Sequence, residues 1–264
     1  MIWEPMLAHR YIEKNKYIKF PCYVQPKLDG MRCCNTVDGF YSRGGKKIKS
    51  VPGLEKSVQD KFIDWKLDGE LYSHSMTFQE MMSDCRKTVN IMENNLISYY
   101  VFDFMDENTV FEDRLLMLRQ KQFELPPRCH LLETYSCNNE SEFYSFFKSF
   151  LNAGYEGIIY RSINGMYAPG KRSVDLLKLK TTHCIEATCV DIKIGKGRHE
   201  KRMGAIECAL KDYVTVFVGS GFSDSDREDI WNNKDAYIGR KVKIQYQEKT
   251  DRDVPRFPVF IMWI

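Results

Sequence analysis

The sequence predicts an α+β domain followed by a small β-barrel domain. Short β-like runs recur along the whole chain, helical patterns alternate with them before about residue 180, and about five strands with one short helix follow. Hydrophobic residues make up 43% of the 264 residues and aromatic residues 13%. A chain of this length and composition can bury enough apolar surface for two domains or one large domain.

The first part of the chain combines strands and helices. The runs YYVFDF and EGIIYR predict strands at Tyr99 to Phe104 and Glu156 to Arg161. The segment ESEFYSFFKSFLNAGY repeats apolar residues at helical spacing and meets a stop signal at Gly154. We expect this aromatic stripe to pack in the core. A second helix, FEDRLLMLRQKQF, begins with acidic and ends with basic residues, as the helix dipole favours.

The last third of the chain predicts the barrel. Its β-like runs are ATCVDIKI, IECAL, VTVFVG, RKVKIQYQ and VFIMWI, and the only helical pattern among them is SDSDREDIWNN. This is the strand count of a small closed barrel of the OB type. The change in pattern places a boundary near residues 181–186, so we predict domains at 1–183 and 184–264.

Composition excludes some classes of protein. The net charge of +3, from 39 basic and 36 acidic residues, permits a nucleic-acid partner without requiring one. Nine cysteines without a Cys-x-x-Cys pair, and five scattered histidines, favour reduced thiols over disulfides or a zinc site. The sequence shows neither a signal-peptide pattern nor an apolar run long enough for a membrane span, so a cytoplasmic protein without membrane contact is expected.

The stretch CYVQPKLDGMRC holds the first candidate catalytic residue. Apolar residues on both sides of a Gly-containing turn indicate strands, with Lys27, Asp29 and Arg32 near the turn. An unperturbed lysine has a pKa of ~10.4, so a nucleophilic Lys27 needs burial or neighbouring cations to favour its neutral form. On these residues alone, a solvated surface turn is an equally good interpretation.

Other charged residues lie in apolar strand patterns, where they need partners. Glu70 ends the segment WKLDGE, Glu156 opens an apolar run, and Lys178 and Lys180 fall on one face of a strand. A nucleoside triphosphate with Mg²⁺ is a ligand that can pair with all of them, because carboxylates bind the metal or ribose and lysines bind phosphate.

Six segments resemble the nucleotidyltransferase motifs of ATP-dependent DNA ligases in order and approximate spacing: KLDGMR, SRGG, LDGEL, YVFDF, EGIIY and LLKLK. The segment PRFPVF near the end resembles the last motif of that family, in its OB domain. The chain looks most similar to the minimal two-domain ligases of the Chlorella virus type. The resemblance implies a nucleotidyltransferase domain followed by an OB-fold domain, acting as a monomer on ATP and nicked double-stranded DNA.

The resemblance also implies roles for individual residues. Lys27 would attack the α-phosphate of ATP, expel pyrophosphate and carry AMP. Catalysis would further need Asp29, Arg32 and Lys180, and the Mg²⁺ ligands would be Asp29, Glu70 and Glu156, with Mn²⁺ as a substitute metal. The residues that would contact ATP are Gln25, Lys27, Arg32, Arg43, Glu70, Phe102, Glu156, Arg172, Lys178 and Lys180.

Several of these roles have an alternative. Glu70 would bind the ribose hydroxyls, and Phe102 would stack on adenine unless it is a core residue. Gln25 would accept a hydrogen bond from the adenine N6 amine or be a surface glutamine. Arg172 would bind phosphate, whereas Arg10 is expected to lie outside the site as a solvated residue.

DNA contacts are expected from both domains. Arg32 and Arg43 would hold the 5′-phosphate of the nick, and Arg256 would act from the OB domain. The viral relatives carry a DNA-encircling latch where this chain has only KIGKGRHEKRMG, and their charged tail after PRFPVF has no counterpart before Ile264. The basic residues of the short interval, set against the single acid Glu200, either contact the DNA backbone or form a solvated turn; the proposed DNA contacts are Lys196, Arg198, Lys201 and Arg202.

Two other functions remain open from the sequence. An RNA ligase or mRNA-capping guanylyltransferase shares the lysine-nucleotide chemistry, although PRFPVF and the GKRS to LLKLK segment favour a DNA ligase. A catalytically inactive nick-binding protein would require a lost catalytic residue, and every expected lysine and carboxylate is present.

Overall fold

The computed structural model describes residues 4–11, 15–211, 214–250 and 253–264. The chain divides into two compact units, residues 1–179 and 180–264. Among the described residues, no helix is long and apolar enough to cross a membrane. All nine cysteines are free thiols, and only Cys184 is exposed.

The first unit contains ten described strands and four α-helices. The strands are β1 (Leu7–Arg10), β2 (Cys22–Lys27), β3 (Met31–Thr36), β4 (Gly39–Ser42), β5 (Leu67–Tyr72), β6 (Ser98–Phe104), β7 (Cys129–Leu131), β8 (Tyr135–Cys137), β9 (Gly157–Arg161) and β10 (Arg172–Lys180). The helices are α1 (Pro52–Phe62), α2 (Phe78–Cys85), α3 (Phe111–Lys121) and α4 (Glu140–Asn152). Both helices predicted for this part of the sequence, α3 and α4, are confirmed.

The strands of this unit form two five-stranded sheets. One has the order β1-β10-β9-β2-β8 and the other the order β4-β3-β5-β6-β7. The turn at residues 28–30 therefore leads from one sheet into the other, and Lys27 and Arg32 stand on strands of different sheets. Antiparallel pairing of β2 with β9 sets Lys27 opposite Gly157, which brings Glu156 beside the lysine.

Two glycines allow the close approach of backbone near this turn. A Cβ on Gly30 would lie 2.4 Å from the carbonyl oxygen of Leu71, and a Cβ on Gly69 would lie 2.4 Å from that of Tyr100. Any side chain would push these strands apart, so glycine follows each of the two aspartates of the motifs for a steric reason.

Helix α4 packs its aromatic stripe as predicted. Phe143 and Phe150 are buried in a core cluster that includes residues of β2 and β9, and Phe146 and Phe147 pack against it. The side chain of Asn139 caps the first turn, and Gly154, with φ of +85°, lies two residues beyond the end of the helix. The helix thereby supports the sheet that carries Lys27.

The second unit contains five described strands and two short helices. They are β11 (His183–Ile194), β12 (Met203–Ala209), β13 (Thr215–Val218), α5 (Asp224–Asn232), α6 (Lys234–Tyr237), β14 (Lys241–Tyr246) and β15 (Val259–Trp263). The strand order is β13-β12-β11-β14-β15. The five predicted strands are confirmed.

The prediction of a closed barrel is wrong in one respect. No ladder of paired residues joins the edge strands β13 and β15 in the described chain; one isolated bridge connects Ser220, two residues beyond β13, to Val259 of β15. The backbone turns away at Gly221, which has φ of +96° and packs against the backbone of Phe260. A single bridge therefore replaces the last strand pairing, and the sheet is open at this seam.

Candidate active site

Lys27 stands at the end of β2 and contacts Glu156. Its Nζ forms an ion pair with Glu156 Oε2 and a 3.3 Å hydrogen bond to the carbonyl of Leu28. The backbone N–H of Glu156 donates to the carbonyl of Lys27 at 3.0 Å. The two side chains are mostly buried, at 18% and 11% exposure, so neither is a solvated surface group.

A pocket of the first unit lies next to this pair. Eight of the residues predicted to contact ATP line it: Gln25, Lys27, Arg32, Arg43, Glu70, Phe102, Arg172 and Lys178. Arg161 and seven mainly apolar residues complete the wall: Leu7, Ala8, Pro26, Leu28, Leu132, Ile159 and Leu176. Apolar walls with converging cations suit a ligand that has both a flat ring and phosphates.

The positive charges around the pocket affect one another. Burial, followed by the charges of Lys27, Arg172 and Arg10, lowers the pKa of Lys178 to about 8. Arg10 is the register partner of Lys178 in the parallel pair β1 and β10, so its charge acts on Lys178, although its side chain is exposed and does not line the pocket. An anionic ligand would relieve this repulsion.

Glu70 is the acidic residue of the pocket wall. Burial raises the pKa of its carboxyl to about 7, although the charges of Lys27 and Arg32 oppose this rise. A carboxyl that titrates near neutrality can either accept or donate a hydrogen bond to a hydroxyl. The site therefore holds a basic and an acidic group whose pKa values both lie near physiological pH.

Arg32 is fixed by a buried carboxylate. Its Nε and Nη2 donate to Asp68 at 2.6 and 2.5 Å, and Asp68 is fully buried. The Arg32 Cζ lies 4.6 Å from the centroid of the Phe102 ring. This fork geometry holds the guanidinium plane in one direction at the pocket wall.

Gln25 is held by protein partners. Its Nε2 donates to the carbonyl of Phe102 at 3.2 Å and to Thr134 Oγ1 at 2.8 Å. Its Oε1 accepts from Arg161 Nε at 2.7 Å. The oxygen predicted to meet adenine N6 already has one donor, so the adenine contact remains a prediction that requires its second lone pair.

Sequence reasoning missed a buried network behind Gln25. Asp103 accepts from Arg114 Nε at 2.7 Å and from Arg161 Nη1 at 2.6 Å, and all three side chains are buried. Asp103 and Arg161 belong to YVFDF and EGIIYR, two of the runs that predict apolar strands. The signal available was a charge inside an apolar strand, which needs a partner.

The three carboxylates predicted to bind Mg²⁺ do not form a cage. Among the residues that the structure describes, no three His, Cys, Asp or Glu side chains come together as a ligand set. Mg²⁺ commonly takes one or two protein carboxylates and completes its octahedron with phosphate oxygens and water. Glu156 beside Lys27 and Glu70 in the pocket wall fit such a phosphate-bound ion, and Asp29 lies on the adjacent turn.

The remaining predicted residues have partners in the second unit. Lys180 Nζ donates to Gln247 Oε1 at 3.0 Å, so it does not share the pocket of Lys178. Arg256 forms an ion pair with Glu248, and its Cζ lies 5.2 Å from the ring centroid of Phe257.

The basic loop, residues 193–202, joins β11 to β12 with one turn of 3-10 helix at Gly197–His199. Glu200 is the only acid within the loop, but acids outside the loop also pair with its basic residues. Lys193 pairs with Asp191 and Glu207, and its side chain is about half exposed. The acids come from the flanking strands, which a count within the loop cannot include.

Arg202 is also paired, at 3.2 Å with Asp224 and at 3.5 Å with Glu228 of α5. In contrast, Lys196, Arg198 and Lys201 form no ion pair with a described residue and are exposed. Three of the four predicted DNA-contacting residues of the loop thus keep their charge uncompensated by nearby acids.

A lysine-containing pocket in an α+β domain, followed by an OB-like domain, defines a nucleotidyltransferase of the ligase and capping-enzyme architecture. Residues 5–180 match the ATP dependent DNA ligase domain family, and residues 194–263 match the DNA ligase OB-like domain family. The first match covers about two thirds of the chain. The chain therefore belongs to the ATP-dependent DNA ligase family.

Individual relatives agree with this assignment. The DNA ligase of Haemophilus influenzae is 31% identical over 262 residues, which cover 97% of this chain and 90% of that enzyme. The DNA ligase of African swine fever virus is 31% identical over 205 residues, which cover 69% of this chain and 46% of the longer viral protein.

Two solved structures illustrate the likeness in fold. The Chlorella virus DNA ligase-adenylate is 30% identical with a TM-score of 0.60, over 100% of this chain and 99% of that one. A Lig E DNA ligase, described as binding DNA with a minimal scaffold, has a TM-score of 0.85 over the full length of both chains. At 21% identity the second comparison establishes the fold alone.

Proposed function

We propose that this ligase seals nicks between a 3′-hydroxyl and a 5′-phosphate in duplex DNA through a lysyl-AMP intermediate. Lys27 Nζ attacks the α-phosphorus of ATP, a P–N bond forms, and the bond to pyrophosphate breaks. The 5′-phosphate of the nick then attacks the same phosphorus, which releases Lys27 and leaves AMP on the DNA end. Attack by the 3′-hydroxyl forms the phosphodiester bond and releases AMP.

The contact between Lys27 and Glu156 carries this proposal. An amine must lose its extra proton before it can attack phosphorus, and Glu156 Oε2 lies within hydrogen-bonding range of Nζ. The carboxylate is therefore placed to accept that proton. The same pair occurs at the edge of a pocket with several cations, which stabilise the charge that develops on the phosphate oxygens.

The pocket wall suggests how the nucleotide is held. Arg43, Arg172 and Lys178 are the pocket cations best suited to the phosphates, because none of them has a carboxylate partner among the described residues. Glu70 binds the ribose hydroxyls, and the Phe102 ring packs against the base. Phe102 is only 9% exposed, so this contact uses one edge or face of a ring that is otherwise part of the core.

A divalent cation fits this arrangement through Glu156 and Glu70. When bound, Mg²⁺ supplies positive charge that polarises the phosphate oxygens, and Mn²⁺ can do the same. The protein residues then orient the nucleotide, with Asp29 close by on the turn at residues 28–30.

DNA is held by arginines and lysines in both units. In the first unit, Arg32 and Arg43 contact the phosphates of ATP and later receive the 5′-phosphate of the nick. In the second unit, Lys196, Arg198, Lys201, Arg202 and Arg256 contact the backbone phosphates, and Lys180 assists the catalytic steps. These contacts give affinity that depends on salt but not on base sequence.

Labelled nucleotide distinguishes this function from its alternatives. Protein is incubated with α-labelled ATP or GTP and Mg²⁺ and resolved on a denaturing gel, and the ATP-loaded protein is then given nicked DNA or a nicked RNA duplex. Label from ATP that passes to DNA supports the proposal. Label retained from GTP would indicate a capping guanylyltransferase. Transfer that prefers the RNA nick would indicate an RNA ligase. Nick binding without any adduct would indicate an inactive binding protein.

A further inference from the structure

Behind Arg32, hydrogen bonds form a closed ring through four residues that lie far apart in the sequence. Tyr167 Oη donates to Asp68 Oδ2 at 2.6 Å, and Asp68 accepts from Arg32 through two nitrogen atoms. Arg32 Nη2 also donates to the carbonyl of Met6 at 3.3 Å, and the N–H of Met6 donates to Tyr167 Oη at 3.1 Å. Each residue of the ring therefore contacts the next.

Neither the nucleotide pocket nor the family motifs account for Tyr167. Its side chain is 2% exposed, and it does not line the pocket. Burial raises the pKa of Tyr167 well above its usual value, so the hydroxyl keeps its proton and remains a donor to Asp68. The same oxygen accepts a hydrogen bond from the Met6 N–H, so this one atom links Asp68 to the backbone of Met6.

The ring has consequences for the pocket on two sides. On one side it commits Nε and Nη2 of Arg32 to protein acceptors, so Nη1 is the guanidinium nitrogen without a partner among the described residues. On the other side, it fixes the backbone N–H and the backbone carbonyl of Met6, the residue immediately before β1. Leu7 and Ala8 of β1 line the pocket, so the position of this wall depends on the same ring.

We propose that Tyr167 is a positioning residue for Arg32: its hydroxyl closes the ring that fixes the guanidinium and the start of β1 at the wall of the nucleotide pocket. This inference rests on the proposed function, in which Arg32 meets the phosphate of ATP. Without the hydroxyl, Asp68 loses a donor and the Met6 N–H loses its acceptor. Arg32 is then free to adopt other directions, and ATP must select the productive one, which raises the apparent KM.

The test compares two tyrosines that differ in their partners. Tyr167→Phe removes the ring hydroxyl, whereas Tyr160→Phe removes a similarly buried hydroxyl that bonds to the backbone of Lys19, away from Arg32. Lysyl-AMP formation is measured against ATP concentration in the full-length protein. We expect Tyr167→Phe to raise KM about tenfold with a smaller change in the maximal rate, and Tyr160→Phe to leave KM near the wild-type value.

A double-variant cycle separates positioning from general stability. Arg32→Lys keeps the charge but cannot form the fork with Asp68. If Tyr167 acts through Arg32, Tyr167→Phe should raise KM far less in the Arg32→Lys background than in the wild type. Equal effects in the two backgrounds, or a Tyr167→Phe variant that matches Tyr160→Phe, would overturn the proposal.

A second variant keeps the proposal testable if circular dichroism shows that Tyr167→Phe does not fold. Asp68→Asn opens the same ring from its other side, and an unchanged KM in that variant would overturn the proposal. A wild-type protein that forms no adduct with ATP would contradict the proposed function itself, which distinguishes that failure from a failure of the inference about Tyr167.

Discussion

The nucleotide pocket and the basic loop both gather positive charge, but they hold it differently. At the pocket, Arg32 and Arg161 are bound by the buried carboxylates Asp68 and Asp103, which fix the guanidinium directions. In the loop, Lys196 and Lys201 are exposed and have no acidic partner among the described residues. A fixed guanidinium can recognise one phosphate at one point, whereas a mobile ammonium group attracts any phosphate nearby.

The two regions therefore suit different tasks. Phosphoryl transfer depends on placing one phosphorus atom within reach of Lys27, and that requires fixed groups. Holding duplex DNA of any sequence requires only an attractive field along its backbone. Substitutions at the pocket should therefore affect the adduct, and substitutions in the loop should affect DNA affinity.

The largest effect is expected at Lys27. Lys27→Ala should abolish both lysyl-AMP formation and nick sealing, because it removes the pocket amine that contacts Glu156. The measurement is label transfer from α-labelled ATP together with sealing of a nicked duplex. On pre-adenylated nicked DNA, where the task of the lysine is already complete, the same variant should recover some sealing.

Lys196→Ala is the matched control for this prediction, since it removes a lysine from the loop and should leave the adduct unchanged. An adduct that persists in Lys27→Ala would refute the assignment of the nucleophile. Failure on the pre-adenylated nick, with DNA binding intact, would mean that Lys27 also acts in the last step.

The second prediction concerns the buried network of the pocket unit. Asp103→Ala leaves Arg114 and Arg161 buried without their common carboxylate, and breaking a buried ion pair in this way costs about 3–5 kcal/mol of unfolding free energy. Urea unfolding followed by circular dichroism measures the loss.

Glu228→Ala removes one exposed partner of Arg202 and should barely change the unfolding curve, because Asp224 remains. Similar losses in the two variants would show that the contrast between buried and exposed charge does not hold for stability.

The third prediction tests the basic loop. Changing Lys196, Arg198 and Lys201 together to Ala should weaken nick binding and reduce the steepness of log K against log salt by about 0.9 for each phosphate that the loop no longer neutralises. Arg202→Ala should have a smaller effect per residue, because its charge is already partly neutralised by Asp224 and Glu228. Affinity for nicked DNA at several salt concentrations measures both.

Lysyl-AMP yield is measured in parallel and should stay at the wild-type level. An unchanged salt slope in the triple variant would identify the loop as a solvated turn. A reduced adduct yield would mean that its basic residues help to orient pyrophosphate.

The smallest effect is expected from pH. Because the pKa of Lys178 is lowered to about 8, the side chain is charged below that pH and becomes neutral above it. If its charge binds phosphate, KM for ATP should rise about two- to fivefold between pH 7 and pH 9. Initial rates of adduct formation across this range measure the change.

Lys178→Arg tests the origin of this rise, because an arginine keeps its charge throughout. The increase in KM near pH 8 should then disappear. If KM still rises near pH 8 in Lys178→Arg, a group other than Lys178 is responsible. The neighbouring cations would then lower the pKa of Lys178 less than their arrangement indicates.

Local structure at the site could be predicted from the sequence alone. Apolar residues on both sides of the turn predicted the strands around Lys27, helical spacing predicted α4, and Gly30 after Asp29 marked the turn that leads from β2 to β3. The motifs and the residues next to them also indicated half of the residues that line the pocket. The strands, helices and turns depend on residues within a few positions of one another, which is the range that periodicity can report.

Which charges meet in the site depends on the tertiary structure. Asp68 lies 36 residues from Arg32 and 99 residues from Tyr167, and Arg161 lies 136 residues from Gln25. Such contacts depend on strand order and register, which are set by packing throughout the domain and not by local pattern. The open seam of the second sheet has the same origin, because the count of five strands does not determine whether the two edge strands pair.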